Sequence, residues 1–171
     1  VFIVFLGEVI AMKHGRVYRE FSKEFEEENG ISLEELFSVV ESISRVFPMI
    51  VSVNLSKNTY TMIKDDGFLA GALPVRGKYD DMIDFGVANI HPNYQNTFLE
   101  NFSRERLEGH FKRGKKEVFA KLYQKGRGQE YQWVSTHVIR LPDSNGDICH
   151  ICINKIIDED GQPRASGGAP Y

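Results

Sequence analysis

The sequence predicts an α+β fold: a five-stranded antiparallel sheet with short helices on one face, preceded by amino-terminal helices. Three observations predict it. Val118 to Asp158 reads as three strands joined by two turns, Met49 to Leu55 and Tyr60 to Lys64 read as two more, and the stretches between carry apolar residues at helical spacing. Strands from both ends of the chain pairing into one sheet, with the helices lying across it, lets every helix bury its apolar stripe.

The chain has 171 residues, 42% of them hydrophobic, which is enough for one domain with a core plus an appendage. A formal net charge of -3 gives no electrostatic argument for a nucleic-acid or membrane partner. The first residue is Val1 rather than Met, so the chain reads as a piece of a longer protein. Residues 1–47 read as an amino-terminal helical segment or linker, 48–160 as the sheet domain, and 161–171 as a flexible tail. Cys149 and Cys152 are spaced C-x-x-C, but on a strand an offset of three puts the thiols on opposite faces, so they read as ordinary reduced thiols and not as a metal or redox pair.

Taken in order, Val1 to Met12 is an apolar run broken by Gly7 and Glu8. It is shorter than a spanning helix needs, and reads as a buried strand or helix or as the end of a membrane helix begun upstream. Val17, Tyr18, Phe21 and Phe25 mark a helix over 16–28 that Asn29-Gly30 ends. Ser32 with Glu35 forms a capping box, with Ile31 as its staple, at the head of a second helix. That helix shows Leu33, Leu36, Phe37, Val40, Ile43 and Phe47 on one face, and Pro48 stops it. Two strands follow around the turn Ser56 to Thr59. Asp65 to Lys78, punctuated by Gly67, Gly71, Pro74 and Gly77, reads as irregular. Tyr79 to Phe85 reads as a short helix, and Ile90-His91-Pro92 as a break with proline at a helix start. Tyr94, Phe98 and Phe102 give the next helix its four-residue step. Ser103 then opens a helix whose Leu107 and Phe111 face inward and which Gly114 ends. The last three strands are separated by Gly126-Arg127-Gly128-Gln129 and by the Asn145-Gly146 turn.

Several of these stretches, between Pro48 and Asp160, resemble the PAS family of sensor modules. Ile90-His91-Pro92 is similar to the family's hydrophobic-His-Pro element before its connecting helix, with Tyr94 where an aspartate is usual. Gly128 leading into Tyr131-Gln132-Trp133-Val134 resembles the Asp-Gly turn before an aromatic strand, with Arg127 in place of the aspartate and one residue added. Asp143 to Asp147 matches the turn before the final strand. Ile156-Ile157-Asp158-Glu159 resembles the acidic exit, with Ile156 at the first acidic position. The spacing is most like that of modules upstream of GGDEF diguanylate cyclase domains in bacterial signalling proteins, and similar modules occur in sensor histidine kinases.

The resemblance implies a cytoplasmic sensory and dimerisation module, non-catalytic in itself. It would be linked to an output domain and reach a membrane only through an upstream segment of its parent. It also implies a small-molecule site between the inner sheet face and the short helices. The central strand alternates Tyr131, Trp133, Ser135, His137 and Ile139 against Gln132, Val134, Thr136, Val138 and Arg140. The resemblance turns the second set inward, so that Val134, Thr136 and Val138, with Phe85, Ile90, Phe98 and Phe119, either line a pocket or simply fill a core. Trp133 and His137 then face outward, toward Phe37 and Val40 of the second helix or toward a second subunit.

No cofactor is expected. The cysteines are not where a flavin photoreceptor of this family needs one, and His91 and His110 are the sole haem-ligand candidates. The basic run Lys112 to Lys116 reads as a solvated helix end, with no nucleic acid implied. The alternative is a small α+β enzyme of cone-like fold, in which His91, His137 and a carboxylate such as Asp84 meet in a cavity for acid–base chemistry.

Overall fold

In the computed structural model the described residues are Lys23, Glu27, Ser32, Glu35, Ser38, Ser42, 46–71, 73–142 and 146–162. The chain divides into two compact units, Val1–Val46 and Phe47–Tyr171. In the first, Lys23, Glu27, Glu35, Ser38 and Ser42 are helical. The capping box is formed: the Glu35 backbone N–H donates to Ser32 Oγ at 3.2 Å, and the Ser32 N–H donates to Glu35 Oε2 at 3.0 Å. Phe37, Val40, the run Val1 to Met12 and the tail from Pro163 lie outside the described residues.

The second unit begins with β1 (Met49–Asn54), β2 (Thr59–Asp65) and β3 (Arg76–Lys78). Three helices follow, α1 (Tyr79–Asn89), α2 (Pro92–Phe102) and α3 (Arg104–Lys112), and then β4 (Glu117–Lys125), β5 (Tyr131–Arg140) and β6 (Cys149–Ile156). One sheet holds all six strands in the order β3-β2-β1-β6-β5-β4, every pair antiparallel. The join of early to late strands is the β1–β6 pair, where Val51 sits opposite Cys152 and Val53 opposite His150. Tight alternation explains β1: Met49, Val51 and Val53 are buried, while Ile50, Ser52 and Asn54 are half-exposed.

The sheet has one strand more than the sequence predicts. Residues 76–78 form a short edge strand in which Gly77 pairs with Tyr60; a Cβ on Gly77 would lie 2.9 Å from the Tyr60 ring. A three-residue strand with glycine at its centre has no alternation to read. Helix α1 also runs past Phe85 to Asn89. Its Gly86 serves packing and does not break the helix, because a Cβ there would meet Phe98 Cζ at 2.7 Å.

The helices bury their apolar faces on the sheet. Leu107 and Phe111 of α3, Phe98 and Phe102 of α2, and Tyr79, Met82 and Ile83 of α1 join Val51, Val53, Leu122, Val134 and Val138 in one core. Each fully buried aliphatic or aromatic side chain contributes about 1.5–3 kcal/mol. Polar groups fasten the helical layer to the strands. Asn58, in the left-handed region at φ 53, ends the β1–β2 turn, and its amide holds both Asp80 Oδ2 (2.8 Å) and the Asp80 N–H (3.1 Å) at the head of α1. The buried Tyr79 hydroxyl donates to the Phe102 carbonyl at 2.6 Å, tying α1 to the end of α2.

Candidate functional site

Three sides enclose the interior beneath the helices. Inward residues of β4, β5 and β6 form its floor, α1 and the middle of α2 its roof, and the segment after β2 its side. Between them lies a cavity of about 60 Å³. Apolar groups make most of its wall, among them Met49, Phe68, Leu69, Met82, Ile83 and Phe102. Of the residues singled out from sequence, Phe85, Phe98, Thr136 and Val138 line it. Ile90 and Val134 are buried in the core, at 1% and 0% exposure, but lie off the cavity wall.

Phe119 does not point inward. It is 48% exposed and packs against His137, ring centroids 4.7 Å apart, on the outer face. The reason is the alternation of β4, which turns Val118, Ala120, Leu122 and Gln124 to the core and Glu117, Phe119 and Lys121 to the outside. Placing Phe119 inside would have buried Lys121 without a counter-ion.

Apart from Thr136, the polar groups of the wall are the part the sequence reading missed. Thr136 Oγ1 donates to Asn154 Oδ1 at 2.7 Å, and Asn154 Nδ2 donates to Cys152 Sγ at 3.6 Å. Asn89 Nδ2 donates to the Phe85 carbonyl at 2.9 Å. Gln124 is buried with 7% exposure, and its side chain makes no hydrogen bond to another described residue. Burial pushes the Cys152 thiol up to about 12 and the Tyr79 phenol well above its ordinary range, so both stay neutral. The wall therefore carries no charge. The signal for these residues was present: the inward set of β6 is His150, Cys152 and Asn154, and that of β4 ends on Gln124.

On the outer face, Trp133 is half-buried against Tyr123 (5.0 Å) and Tyr94 (5.4 Å), while His137 is exposed. Tyr94 reaches that face because Ile90 bridges Gln124 and the His91 N–H donates to the Tyr123 carbonyl, which carries the chain along the free edge of β4. His91 caps α2, its Nδ1 accepting from the Asn93 N–H at 3.3 Å, with its ring 5.0 Å from Tyr131. The three groups of the acid–base alternative do not converge. His91 lies among tyrosines at the β4 edge, His137 faces Phe119, and Asp84 is exposed on α1, with no hydrogen bond among them. Among the described residues, no group of three or more His, Cys, Asp or Glu is placed to hold a metal ion, and no helix is long and apolar enough to cross a membrane.

The chain resembles a sensory protein of known structure. This is the crystal structure of a sensory box histidine kinase/response regulator from Burkholderia thailandensis E264. The likeness has a TM-score of 0.49 and 12% sequence identity, and covers 71% of this chain and 86% of that one. No family model and no curated protein matches the chain.

The exit from the sheet is a turn. The Ile157 N–H extends β6 by donating to the Trp133 carbonyl, and Asp158 then folds the chain back, its Oδ1 accepting from the Gln162 N–H at 2.6 Å. Gly161 lies against the ammonium end of Lys121 on the outer face.

Proposed function

We propose that Phe47 to Gln162 is a PAS-like sensor module. On this reading it holds a small molecule in the cavity beneath its helices, forms a homodimer, and regulates a linked cytoplasmic output domain. The motif spacing favours a GGDEF diguanylate cyclase as that output. The observation that carries the reading is the uncharged cavity between the sheet and α1 and α2. The sequence motifs support it, as does the antiparallel sheet built from both ends of the domain. The fragment's part is to bind and relay: occupancy of the cavity shifts the balance between two packings of the elements around it. Residues after Asp158 carry that shift outward. A coupling of the usual 1–3 kcal/mol corresponds to about fivefold or more in output.

The test fuses the whole chain to a diguanylate cyclase catalytic domain and fills the cavity with Thr136→Leu or Cys152→Leu. Cyclic dinucleotide synthesis is expected to change about fivefold while the fold, by circular dichroism, is retained. Filled and unfilled fusions with the same activity and the same sedimentation behaviour would refute the proposal.

A further inference from the structure

We infer that the cavity takes a small uncharged molecule presenting a hydrogen-bond donor and acceptor side by side, of the lactam or carboxamide kind, paired to the Gln124 side-chain amide. The inference rests on the sensor reading above and adds the chemistry of the ligand.

Charge comes first. No Asp, Glu, Lys, Arg or His lines the cavity. A carboxylate or ammonium entering it would be buried without a counter-ion, at a cost that expels it. The hydrogen-bond inventory narrows the class further. The Thr136 hydroxyl hydrogen is committed to Asn154 Oδ1, and the Asn154 and Asn89 amide nitrogens donate to Cys152 Sγ and the Phe85 carbonyl. Gln124 is different. More than nine-tenths buried and on the cavity wall, it offers a carbonyl acceptor and an N–H donor a bond apart, and neither meets a described residue.

A group that satisfies both at once is another cis-like amide. Its N–H donates to Oε1 while its carbonyl accepts from Nε2, giving two parallel hydrogen bonds. A lone ketone satisfies one and leaves the other orphaned, and a hydroxyl reaches both only through its single oxygen, without two parallel bonds. Size sets the remaining limit. A cavity of about 60 Å³ admits roughly four to six water-sized groups. A five-membered lactam fits that range, its methylenes against Met82, Phe98 and Val138.

The test uses nitrogen-15 NMR on the full chain with four probes: 2-pyrrolidinone, cyclopentanone (acceptor only), pyrrolidine (a cation at neutral pH) and xenon. 2-Pyrrolidinone is expected to shift Gln124, Thr136 and Asn154 saturably and to bind about tenfold more tightly than cyclopentanone, with no saturable shift from pyrrolidine. In Gln124→Leu the preference is expected to fall to about twofold or less while xenon still perturbs Met82 and Val138. The ratio of the two neutral rings in the unaltered chain stands whether or not the variant folds. Equal binding of these rings with xenon admitted overturns the ligand class and leaves the sensor reading standing, as does tighter binding of pyrrolidine. Exclusion of all four probes overturns both.

Discussion

His150→Phe should remove a large acid sensitivity of the fold. The imidazole has no solvent exposure, sits on β6 opposite Val53, and is enclosed by the rings of Tyr79 (centroids 5.8 Å apart) and Phe111 (6.0 Å). Neither ring nitrogen has a hydrogen-bond partner among the described residues. Burial alone pulls its pKa down from 6.5 to about 3. The native state therefore refuses a proton that the unfolded chain accepts. Above about pH 6.5 the group is neutral in both states and contributes no pH dependence; below it, stability falls by about 1.36 kcal/mol per pH unit until the folded pKa is reached. At pH 5 the loss is about 2 kcal/mol, and below pH 3 it approaches about 5 kcal/mol, a large part of the stability of a domain this size.

Urea unfolding followed by circular dichroism at pH 7.5 and pH 5.0, for the native chain and the variant, isolates this contribution. The other histidines remain in both proteins and cancel in the difference. The variant is expected to lose about 2 kcal/mol less than the native chain between the two pH values. At pH 7.5 it should be no less stable than the native chain by more than about 1 kcal/mol, since phenylalanine leaves no orphaned ring nitrogens. Parallel pH dependences would refute the reasoning. A large loss at pH 7.5 would show that the imidazole has a partner its geometry does not reveal.

Three further outcomes follow from the packing. Phe119→Ser should change unfolding free energy by no more than about 0.5 kcal/mol, whereas Leu122→Ala on the same strand should cost about 2–5 kcal/mol; comparable losses in denaturant melts would return Phe119 to the core. Tyr79→Phe deletes the hydroxyl that donates to the Phe102 carbonyl at 2.6 Å and should cost about 1–3 kcal/mol, read as a lower urea midpoint with an unchanged slope. Gly86→Ala places a Cβ 2.7 Å from Phe98 Cζ and should drive that ring toward the cavity, costing about 1–3 kcal/mol and reducing xenon uptake; a variant that binds xenon as the native chain does would contradict the close approach of Phe98 to this helix.

Most of the fold was legible because its signals are local. Ser32 and Glu35 state a helix start in two letters, and the hydrogen bonds are there. Pro92 begins α2, and Gly114, at φ 86, follows the end of α3, each for the conformational reason the residue type supplies. On β5, alternation separates the buried Val134, Thr136 and Val138 from the outward set. What failed was local too weakly or not at all. Arg76-Gly77-Lys78 is a strand because it pairs with β2 around Tyr60, and the glycine inside α1 at position 86 answers to Phe98, which occupies the space a side chain there would need.

The cavity was harder to read for a related reason. Phe85, Phe98 and the pair Thr136 and Val138 come from three separate elements, and nothing in their identities says whether they meet across a gap or in contact. Whether an interior is filled depends on differences of a methylene or two summed over three elements, which periodicity does not record. Polarity is the better guide. An amide or thiol turned inward on a strand must be paired, solvated or waiting for a partner, since leaving it empty costs free energy that an aliphatic side chain would not. Gln124, Thr136, Cys152 and Asn154 are inward positions where this chain departs from the aliphatic pattern of its neighbours, and all four line the one cavity they share. His150 departs in the same way but lies off that wall, packed between rings, so it burdens stability without offering a site. The inward polar residue is thus the feature that separates a lining from a filling, and geometry then decides which of the two each one serves.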